Sequence, residues 1–228
     1  MSGIHIALEG PDGCGKSTIV EQVHKGLQVS LFPWAGFQTV RHPGSTPLGV
    51  HLRKLIKHSD QIDPAITIDP LTRQILYMAD ISAFVNQILM PALQKQEVVV
   101  SDRNSFISSI VYGAVDDIPL NEIERLTTVI PFPKLDKLYI LRCPWEERKK
   151  RLSSKGLEND IYDSRGNAFQ VAVEQAYEDL LTASPAQAAL VGQFVRLQDV
   201  VYIDSSVEPR IAAAQIVNDI LEMLNLKK

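Results

Sequence analysis

The chain has 228 residues, of which 45% are hydrophobic, and its formal net charge is −4 at pH 7. This length suits one domain over residues 1–228, at most with a mobile lid, and the apolar content is enough for a sizeable core. The negative charge argues against a nucleic-acid partner, because proteins that bind phosphate backbones usually carry a basic stripe. The sequence contains no run of about 18 consecutive apolar residues, so we expect no membrane span and no membrane partner.

The cysteine content indicates a reducing compartment. Cys14 and Cys143 are the two cysteines, which is too few for a disulfide framework or a metal cluster. The first residues lack the charged start and apolar core of a secretory signal. We therefore expect a cytoplasmic protein.

Five short runs rich in Val, Ile, Leu or Tyr are predicted as β-strands, and helical stretches separate them. Strands that alternate with helices indicate a parallel sheet with helices on both faces. The predicted fold is therefore a three-layer α/β/α fold with a five-stranded parallel sheet. The strands are predicted at residues 4–9, 38–41, 97–102, 136–142 and 199–204.

A phosphate-binding loop is predicted directly after the first strand. The residues there fit the pattern G-x-x-x-x-G-K-S, and a strand before the pattern with a helix after it is the setting of a P-loop. The glycines let backbone N–H groups surround a phosphate, and the helix N-terminus adds partial positive charge. Lys16 is expected to reach the β- and γ-phosphates of a nucleoside triphosphate, and Ser17 to ligate Mg²⁺. The predicted nucleotide-binding residues are Gly10, Asp12, Gly13, Cys14, Gly15, Lys16, Ser17 and Thr18.

The longest predicted helix, residues 67–94, has more apolar positions than a single buried stripe needs. It is either a core helix between two layers or a helix whose second face meets a partner subunit in a homodimer. The pattern leaves both interpretations open. The last helix is predicted at residues 207–225 and is expected to pack back on the sheet.

Charged side chains are predicted to meet at the carboxyl ends of the strands. Asp102 and Arg103 end the third strand, where an acid can hold Mg²⁺ directly or through water. Arg103 is expected to point into the crevice in which open α/β sheets bind ligands. Arg41 follows the second strand, and Arg53 lies on a helix expected to begin near Pro47. Two arginines that converge near a crevice indicate an anion clamp.

A lid is predicted at about residues 150–166. A basic helix at residues 146–151 leads into a polar loop that contains glycine, after the fourth strand. Part of this charge run is expected to be a solvated helix face. Phosphoryl transfer needs positive charge on the transferring group and exclusion of water, which a lid at this position would supply.

The motifs resemble those of thymidylate kinases in their order and spacing, over about residues 3–165 and more weakly to the end. The resemblance implies a P-loop kinase fold with a short lid. It also implies ATP-dependent phosphorylation of a deoxynucleoside monophosphate to the diphosphate, with ATP as donor and Mg²⁺ as cofactor. The motifs that carry it are the P-loop with Asp12, the turn Arg41-His42-Pro43-Gly44-Ser45-Thr46, Leu52-Arg53, the segment Ile75–Asp80 and Asp102-Arg103.

The resemblance implies roles for individual residues. Asp12 would contact the acceptor sugar, Arg53 would grip its phosphate, and Tyr77 would stack on its base. The implied metal-binding residues are Ser17 and Asp102. The implied catalytic residues are Lys16, Asp102, Arg103 and Arg151. Of these, Arg103 would bridge the donor and acceptor phosphates. The implied acceptor-binding residues are Asp12, Arg41, Pro43, Arg53, Tyr77, Ile81, Arg103, Asn104, Ser108 and Asp163.

The departures from the family pattern cluster at positions that read the base. The arginine that hydrogen-bonds thymine falls on Ile81, the aromatic residue beside the deoxyribose falls on Asn104, and the residue that reads the pyrimidine edge falls on Ser108. The phosphate-handling residues are kept. We therefore expect altered or broadened base specificity. The lid motif, Asp160-Ile161-Tyr162-Asp163, lacks the family's arginine, so a lid cation would come from Arg151, Lys155 or Arg165.

Two other functions remain open. A deoxynucleoside kinase needs a base just after the first strand, and Glu9 occupies such a position. Arg53 argues against this function, because a free nucleoside has no phosphate for it to grip. The second is a nucleotide-binding regulator without turnover, although the N-K-x-D motif that GTPase switches use to read a base is absent from the sequence.

Overall fold

The computed structural model describes residues 3–31, 36–154, 165–206 and 208–226. Its centre is a five-stranded sheet in which all pairings are parallel, in the order β2-β3-β1-β4-β5. The predicted three-layer α/β/α fold is confirmed, and each predicted strand is present within about one residue of its bounds. The strands are β1 (Ile4–Glu9), β2 (Phe37–Arg41), β3 (Val98–Asp102), β4 (Lys137–Arg142) and β5 (Val200–Asp204).

Helices cover both faces of the sheet because the strands are apolar on both sides. On β1, Ile4, Ile6 and Leu8 face one layer, whereas Ala7 faces the other. The first layer consists of α1 and α10, and the second contains the helices from α2 to α6 together with α8 and α9. The helices are α1 (Lys16–Leu31), α2 (Pro47–Ile62), α3 (Pro70–Phe84), α4 (Met90–Gln94), α5 (Ser105–Val115), α6 (Leu120–Thr127), α7 (Trp145–Ser154), α8 (Gly166–Glu178), α9 (Pro185–Phe194) and α10 (Pro209–Leu226).

The strand order places two chemically important loops side by side. β1 pairs directly with β3, and Leu8 lies opposite Asp102 in the register. The segment after β1 and the segment after β3 therefore leave the sheet at the same edge. In open parallel sheets, ligands bind outside the carboxyl ends of the strands where the strand order reverses. The topology itself thus sets the position of the site.

The long predicted helix is present but contains a π-helical turn, Val85–Leu89, between α3 and α4. The backbone N–H of Met90 donates to the carbonyl of Val85, five residues earlier. The next residue is Pro91, which has no N–H to donate, so a regular α-helical ladder cannot continue unchanged through this point.

The stretch Pro70–Gln94 passes a length and apolarity test for a membrane span, yet half of its most apolar window is buried inside the fold. A core helix of a soluble protein passes the same test. Its inner face lies in the hydrophobic core. Its outer face exposes Leu71, Ile75 and Met90 by 39, 50 and 40%. A partner subunit on that face stays a prediction.

Two predicted features lie outside the described residues. The lid motif, with Asp163 and Ile161, and the alternative lid cation Lys155 fall within residues 155–164. The described chain resumes at Arg165, whose guanidinium contacts Asp116 at 2.6 Å.

The central strand carries a buried histidine that should make the stability of the fold depend on pH. His5 is 1% exposed, its Nε2 lies 2.9 Å from the Ser101 hydroxyl, and its ring packs against Phe84 and Phe132. Burial, and secondly the positive charge that His42 would carry, lower the pKa of His5 to about 3. Below about pH 6.5 the unfolded chain binds a proton here that the folded chain refuses.

We therefore predict that the free energy of unfolding decreases as pH falls from about 6.5 towards 3, and that His5→Leu reduces this slope by up to about 1.4 kcal/mol per pH unit. Urea unfolding at several pH values measures it. The matched control is His51→Leu, because His51 is exposed and should leave the slope unchanged. Equal slopes for His5→Leu and the unmodified protein would contradict the prediction.

Candidate active site

The P-loop joins β1 to α1 and adopts the backbone that its glycines permit. Gly13 and Gly15 have φ values of +81° and +89°, in the left-handed region that other residues avoid. A Cβ on Gly13 would also lie 2.9 Å from Leu152 and 3.0 Å from the carbonyl of Arg148, so helix α7 sits directly on the loop. The Lys16 ammonium donates to the carbonyls of Gly10 and Pro11, at 2.7 and 3.0 Å.

The remaining P-loop side chains divide between packing and the crevice. Cys14 is fully buried in the core layer under α1, and its Sγ lies 3.6 Å from the Lys16 ammonium. It therefore fills space behind the loop. Ser17 and Thr18 are exposed at the start of α1 and line the crevice.

Ser17 and Asp102 meet across the junction of the two loops. The Ser17 hydroxyl donates to Asp102 Oδ2 at 3.1 Å, and both side chains line the crevice. Mg²⁺ prefers oxygen ligands and is usually held by one or two protein groups together with substrate phosphates. No cluster of three or more His, Cys, Asp or Glu side chains with metal-binding geometry occurs in the described residues. This pair therefore fits Mg²⁺ held jointly with a nucleotide.

Arg103 ties the P-loop to β3. Its guanidinium is bonded to Glu9 at 3.2 Å, the Gly10 carbonyl at 3.1 Å, the Tyr177 hydroxyl at 3.0 Å and Asp12 at 2.5 Å. Its backbone has a φ of +76°, which costs a residue other than glycine roughly 1–2 kcal/mol. The four contacts offset this strain, and the turn directs the side chain beneath the loop.

Glu9 is fully buried and accepts hydrogen bonds from four groups. The Asn104 backbone, the Ser108 hydroxyl and the Tyr177 hydroxyl each donate at 2.7 Å, and Arg103 completes the set. A buried carboxylate is stable only when paired and hydrogen-bonded in this way. Glu9 therefore anchors Arg103 and the start of α5.

Asp12 forms the outer end of this network and stays ionised at neutral pH. Burial acts to raise its pKa, but the nearby charges of Arg103 and Lys16 prevail and hold that pKa well below its ordinary value. Asp12 thus presents a fixed negative charge beside Arg103, with 29% of its side chain exposed to the crevice.

The crevice is a cavity of about 380 Å³ at the carboxyl ends of β1 and β3. Among the described residues, six cationic side chains and two carboxylates line it, although the chain as a whole has a charge of −4. Cations concentrated in a cleft attract anionic ligands and raise their local concentration. The cations are Lys16, Arg41, Arg53, Lys57, Arg103 and Arg151, and the carboxylates are Asp12 and Asp102.

A second loop faces the P-loop across this cavity. It follows β2, and the buried carboxylate of Asp80 on α3 holds it in place. Asp80 accepts from the Gly44 backbone N–H at 3.0 Å and lies 3.2 Å from His42 Nδ1. On the cavity side, Arg53 donates to the Pro43 carbonyl at 3.1 Å. This loop thus has a rigid underside and a cationic surface.

The cationic side chains around this loop, Arg41, Arg53 and Arg103, lie close enough together to repel one another. Burial is the main cause that lowers the pKa of Arg53, and the charges of Arg41 and Arg103 add to it. An arginine remains protonated under such conditions, so the repulsion persists until an anion binds. An acceptor phosphate would relieve it.

The structure corrects the predicted positions of two side chains. Ile81 is fully buried in the hydrophobic core, because an apolar side chain there gains from packing within the helical layer. The side-chain oxygen of Asn104 caps α5, accepting from the N–H groups of Phe106 and Ile107 at 3.0 and 3.2 Å. The other predicted acceptor residues in the described chain do line the cavity. They are Asp12, Arg41, Pro43, Arg53, Tyr77, Arg103 and Ser108.

Sequence reasoning missed several residues of the site, among them Lys57, Tyr112 and Arg148. Lys57 lies one turn after Arg53 and lines the cavity, so helical spacing could have found it. Tyr112 lines the cavity seven residues after Ser105 on α5. Arg148 belongs to the charge run at residues 146–151 that leads into the predicted lid, so nothing in the sequence showed that it is buried.

Arg148 fastens α7 and α8 to the P-loop. Its side chain is fully buried, and it donates to the carbonyls of Cys143, Asp12 and Gln170 at 3.0–3.1 Å. It also pairs with Glu174 at 2.5 Å. The helix that leads towards the predicted lid is thereby joined to the loop that binds phosphate. At the end of this helix, Arg151 lies 3.6 Å from a Cβ built on Gly15 and lines the cavity.

A P-loop opposite a second cationic loop is the arrangement of a kinase that holds two phosphorylated ligands. The family model for thymidylate kinase matches residues 8–191. This chain belongs to the thymidylate kinase family. Three curated relatives named thymidylate kinase are similar to it. The protein from Caldicellulosiruptor saccharolyticus is 35% identical over 79% of this chain and 84% of its own. Those from Prochlorococcus marinus and Synechococcus sp. are 34% identical over 78–79% of this chain and 80–85% of their own.

We predict that Arg148→Met lowers the free energy of unfolding by about 3 kcal/mol, because the buried carbonyls and Glu174 lose their donor. Chemical denaturation measures it. Lys149→Met is the matched control, since Lys149 is exposed on the same helix and should change the free energy by no more than about 0.5 kcal/mol. Equal free energies of unfolding for the two variants would contradict the conclusion that Arg148 joins α7 and α8 to the P-loop.

Proposed function

We propose that this protein transfers the γ-phosphoryl group of ATP to the phosphate of a deoxynucleoside monophosphate, thymidylate among them, giving the diphosphate and ADP. The observation that carries the proposal is the pair of cationic loops on opposite sides of one cavity. The P-loop is the donor side. The acceptor side is the loop after β2 with its flanking residues, Arg41 at the end of β2 and Arg53 and Lys57 on α2. A ligand on the second side needs a negative charge to make use of three cations.

In the proposed reaction, an acceptor phosphate oxygen attacks the γ-phosphorus of ATP, and the bond from that phosphorus to the β,γ-bridging oxygen breaks. ADP leaves with the electron pair of this bond. The attacking oxygen is already anionic near neutral pH, so no strong general base is required. Catalysis consists of positioning and charge stabilisation.

The residues of the cavity supply that stabilisation. Lys16 and Arg103 neutralise the transferring group and the phosphates on either side of it, and Arg151 adds positive charge above Gly15. Ser17 and Asp102 would hold Mg²⁺, which supplies further charge neutralisation between the donor phosphates when it is bound. Asp12, whose charge is fixed by Arg103, lies where it can accept a hydrogen bond from the acceptor sugar.

The deoxynucleoside kinase alternative gains no support from the site. That function requires a carboxylate free to take a proton from a sugar hydroxyl. Glu9 is fully buried and already accepts from four donors. Release of Glu9 would also remove one of the two carboxylates that pair with Arg103.

Further aspects of the proposal concern the whole chain. We propose one kinase domain over residues 1–228, with a lid at about residues 150–166. Of the three side chains predicted as a source of the lid cation, Arg151 and Arg165 lie in the described residues. The apolar outer face of α3 and α4 supports a homodimer, and two free buried thiols support a reducing cytoplasmic setting.

The function is tested by coupled ADP release with ATP and Mg²⁺, with thymidylate or thymidine as acceptor. We predict release with thymidylate and none with thymidine. Lys16→Ala should lower kcat/KM by at least about 10³, because charge stabilisation of the transferring group is lost. The matched control is Lys25→Ala, whose ammonium is exposed and pairs with Glu21. ADP release that ignores the acceptor would instead indicate an ATPase or a regulator.

A second prediction concerns the underside of the acceptor loop. Asp80→Asn keeps the size of the side chain but replaces one of its two acceptor oxygens with an NH₂ group. That donor would face either the Gly44 N–H or His42, where the carboxylate now presents an oxygen. We predict that the KM for thymidylate rises about tenfold, whereas the KM for ATP stays within about twofold, because one charge-assisted hydrogen bond is worth roughly 1.5–3 kcal/mol.

Initial-rate kinetics with each substrate varied in turn measure this difference. Asp219→Asn is the matched control, because Asp219 accepts from Lys137 and Tyr139 on the other layer. Equal increases in both KM values would show that Asp80 supports the fold in general rather than the acceptor loop.

A further inference from the structure

A buried carboxylate, Asp116, joins three helices of the layer beside the cavity. Asp116 is the C-cap residue of α5, and 2% of its side chain is exposed. The Arg165 guanidinium at the start of α8 contacts Asp116 Oδ1 at 2.6 Å. On α3, the Arg73 guanidinium lies 3.6 Å from Asp116 Oδ2. The carboxylate therefore ties the end of α5 to the start of α8 and to α3.

The two charges of the short contact lie at helix ends that disfavour them. Arg165 is the N-cap residue of α8, yet its side chain makes no capping hydrogen bond. Helix dipoles oppose a positive charge at an N-terminus and a negative charge at a C-terminus. Asp116 and Arg165 each offset this cost for the other, so their contact is more than a general effect of helix ends.

Two aromatic rings connect this ion pair with the cavity. The Arg165 guanidinium lies 3.8 Å from the centroid of the Phe169 ring, one turn further along α8. Phe169 packs against Tyr112 on α5, with the ring centroids 6.3 Å apart. The Tyr112 carbonyl in turn accepts from the Asp116 backbone N–H at 2.9 Å. The four residues thus form a closed set of contacts between the last turn of α5 and the first turn of α8.

Tyr112 is the member of this set that reaches the cavity. It is one of the described residues that line the cavity, whereas the other three members are not. The Arg103 guanidinium lies 5.9 Å from the centroid of the Tyr112 ring. Burial raises the pKa of Tyr112 well above its ordinary value, and the charges of Arg103 and Asp12 act on this pKa in opposite directions. The ring therefore lies beside two groups that would face the acceptor.

The remainder of α8 is held by other parts of the site. In its middle, Glu174 pairs with Arg148, and near its end the Tyr177 hydroxyl donates to Glu9. These contacts fasten the helix to the P-loop and to the end of β1. The ion pair at the start of α8 fastens its first turn to α5.

We propose that Asp116 is a positioning residue of the acceptor site. It pairs with Arg165, holds the first turn of α8 against α5, and thereby keeps the Tyr112 ring in place in the cavity wall. This proposal rests on the proposed kinase function of the same cavity. It also gives Arg165 a role away from the transferring phosphoryl group, because its charge is paired with a buried carboxylate and its guanidinium stacks on an aromatic ring.

The two possible roles of Arg165 lead to different kinetics. Removal of a cation that stabilises the transferring phosphoryl group lowers kcat, because such an interaction is made in the transition state. Removal of a residue that positions the wall of the acceptor site raises the KM for the acceptor instead. It leaves kcat and the KM for ATP nearly unchanged, because ground state and transition state lose the same contact.

The test is initial-rate kinetics with thymidylate and ATP varied in turn, in Arg165→Met, Arg165→Lys and Asp116→Asn. We expect Arg165→Met to raise the KM for thymidylate about fivefold, with kcat and the KM for ATP within about twofold of the unmodified protein. Arg165→Lys keeps the charge and should restore most of the affinity, whereas Asp116→Asn should act like Arg165→Met. The calorimetric dissociation constant for thymidylate, measured without ATP, should change in the same direction as this KM.

A double variant tests whether the effect travels through the aromatic rings. Phe169→Leu keeps an apolar side chain but removes the ring between Arg165 and Tyr112. It should raise the KM for thymidylate by itself, and addition of Arg165→Met should then change this KM by less than about twofold.

The chain offers two matched controls. Arg196→Met removes an exposed arginine that pairs with Asp199 before β5, at the opposite edge of the sheet from the cavity. Asp117→Asn removes the exposed carboxylate next to Asp116. Both variants should keep the kinetic constants of the unmodified protein. If Asp116→Asn fails to fold, the Arg165 variants still decide, because Asp116 keeps its contact with Arg73 in them.

Three results would overturn the proposal. The first is a lower Tm of Arg165→Met with an unchanged KM for thymidylate, which would show a purely structural role. The second is a kcat lowered about tenfold or more with an unchanged KM, which would place Arg165 at the phosphates. The third is full additivity of Arg165→Met and Phe169→Leu. Failure of the kinase function itself gives a different result, namely no acceptor-dependent ADP release by the unmodified protein, and the proposal would then fail with it.

Discussion

The ion pair between Glu9 and Arg103 is the interaction on which the rest of the site depends. It joins the last residue of β1 to the first residue after β3, and these strands are neighbours only because the sheet order reverses there. The pair draws Arg103 into a strained backbone conformation beneath the P-loop and fixes the charge of Asp12. A buried pair of this kind is worth little to stability by itself. Its value lies in holding two loops from different strands at one fixed separation.

On both flanks of the cavity, other buried charged side chains also hold loops in place. Asp80 holds the acceptor loop from below, and Arg148 holds the P-loop to α7 and α8. In each case a buried charge bonds to backbone groups of a loop, so the loop gains rigidity while its outer surface stays available for ligand. The cations on that surface repel one another, and burial together with the charges of Arg41 and Arg103 lowers the pKa of Arg53. Rigid undersides keep this repulsion from opening the cavity, and bound phosphates relieve it.

The sequence was sufficient for parts of the site where function depends on local backbone. The P-loop could be predicted because its glycine pattern lies between a strand and a helix. Asp102 and Arg103 could be predicted because ligands bind at the carboxyl ends of parallel strands. Arg148 could not, because a buried arginine and a solvated one look alike within a charge run. Ile81 and Asn104 were misplaced for a similar reason. Whether a side chain faces a cavity, packs into the core or caps a helix depends on neighbours distant in sequence.

The phosphate end of the cavity is arranged before any substrate binds. At the phosphate end, the groups beneath the loops are already paired, so the geometry exists before substrate binds and catalysis needs little rearrangement. Tyr77 and Tyr112 line the same cavity, and an aromatic ring offers a face against which a base can pack. Phosphate chemistry is common to all acceptors and can be fixed in advance. Residues that contact the base can then differ without disturbing the ion pair between Glu9 and Arg103.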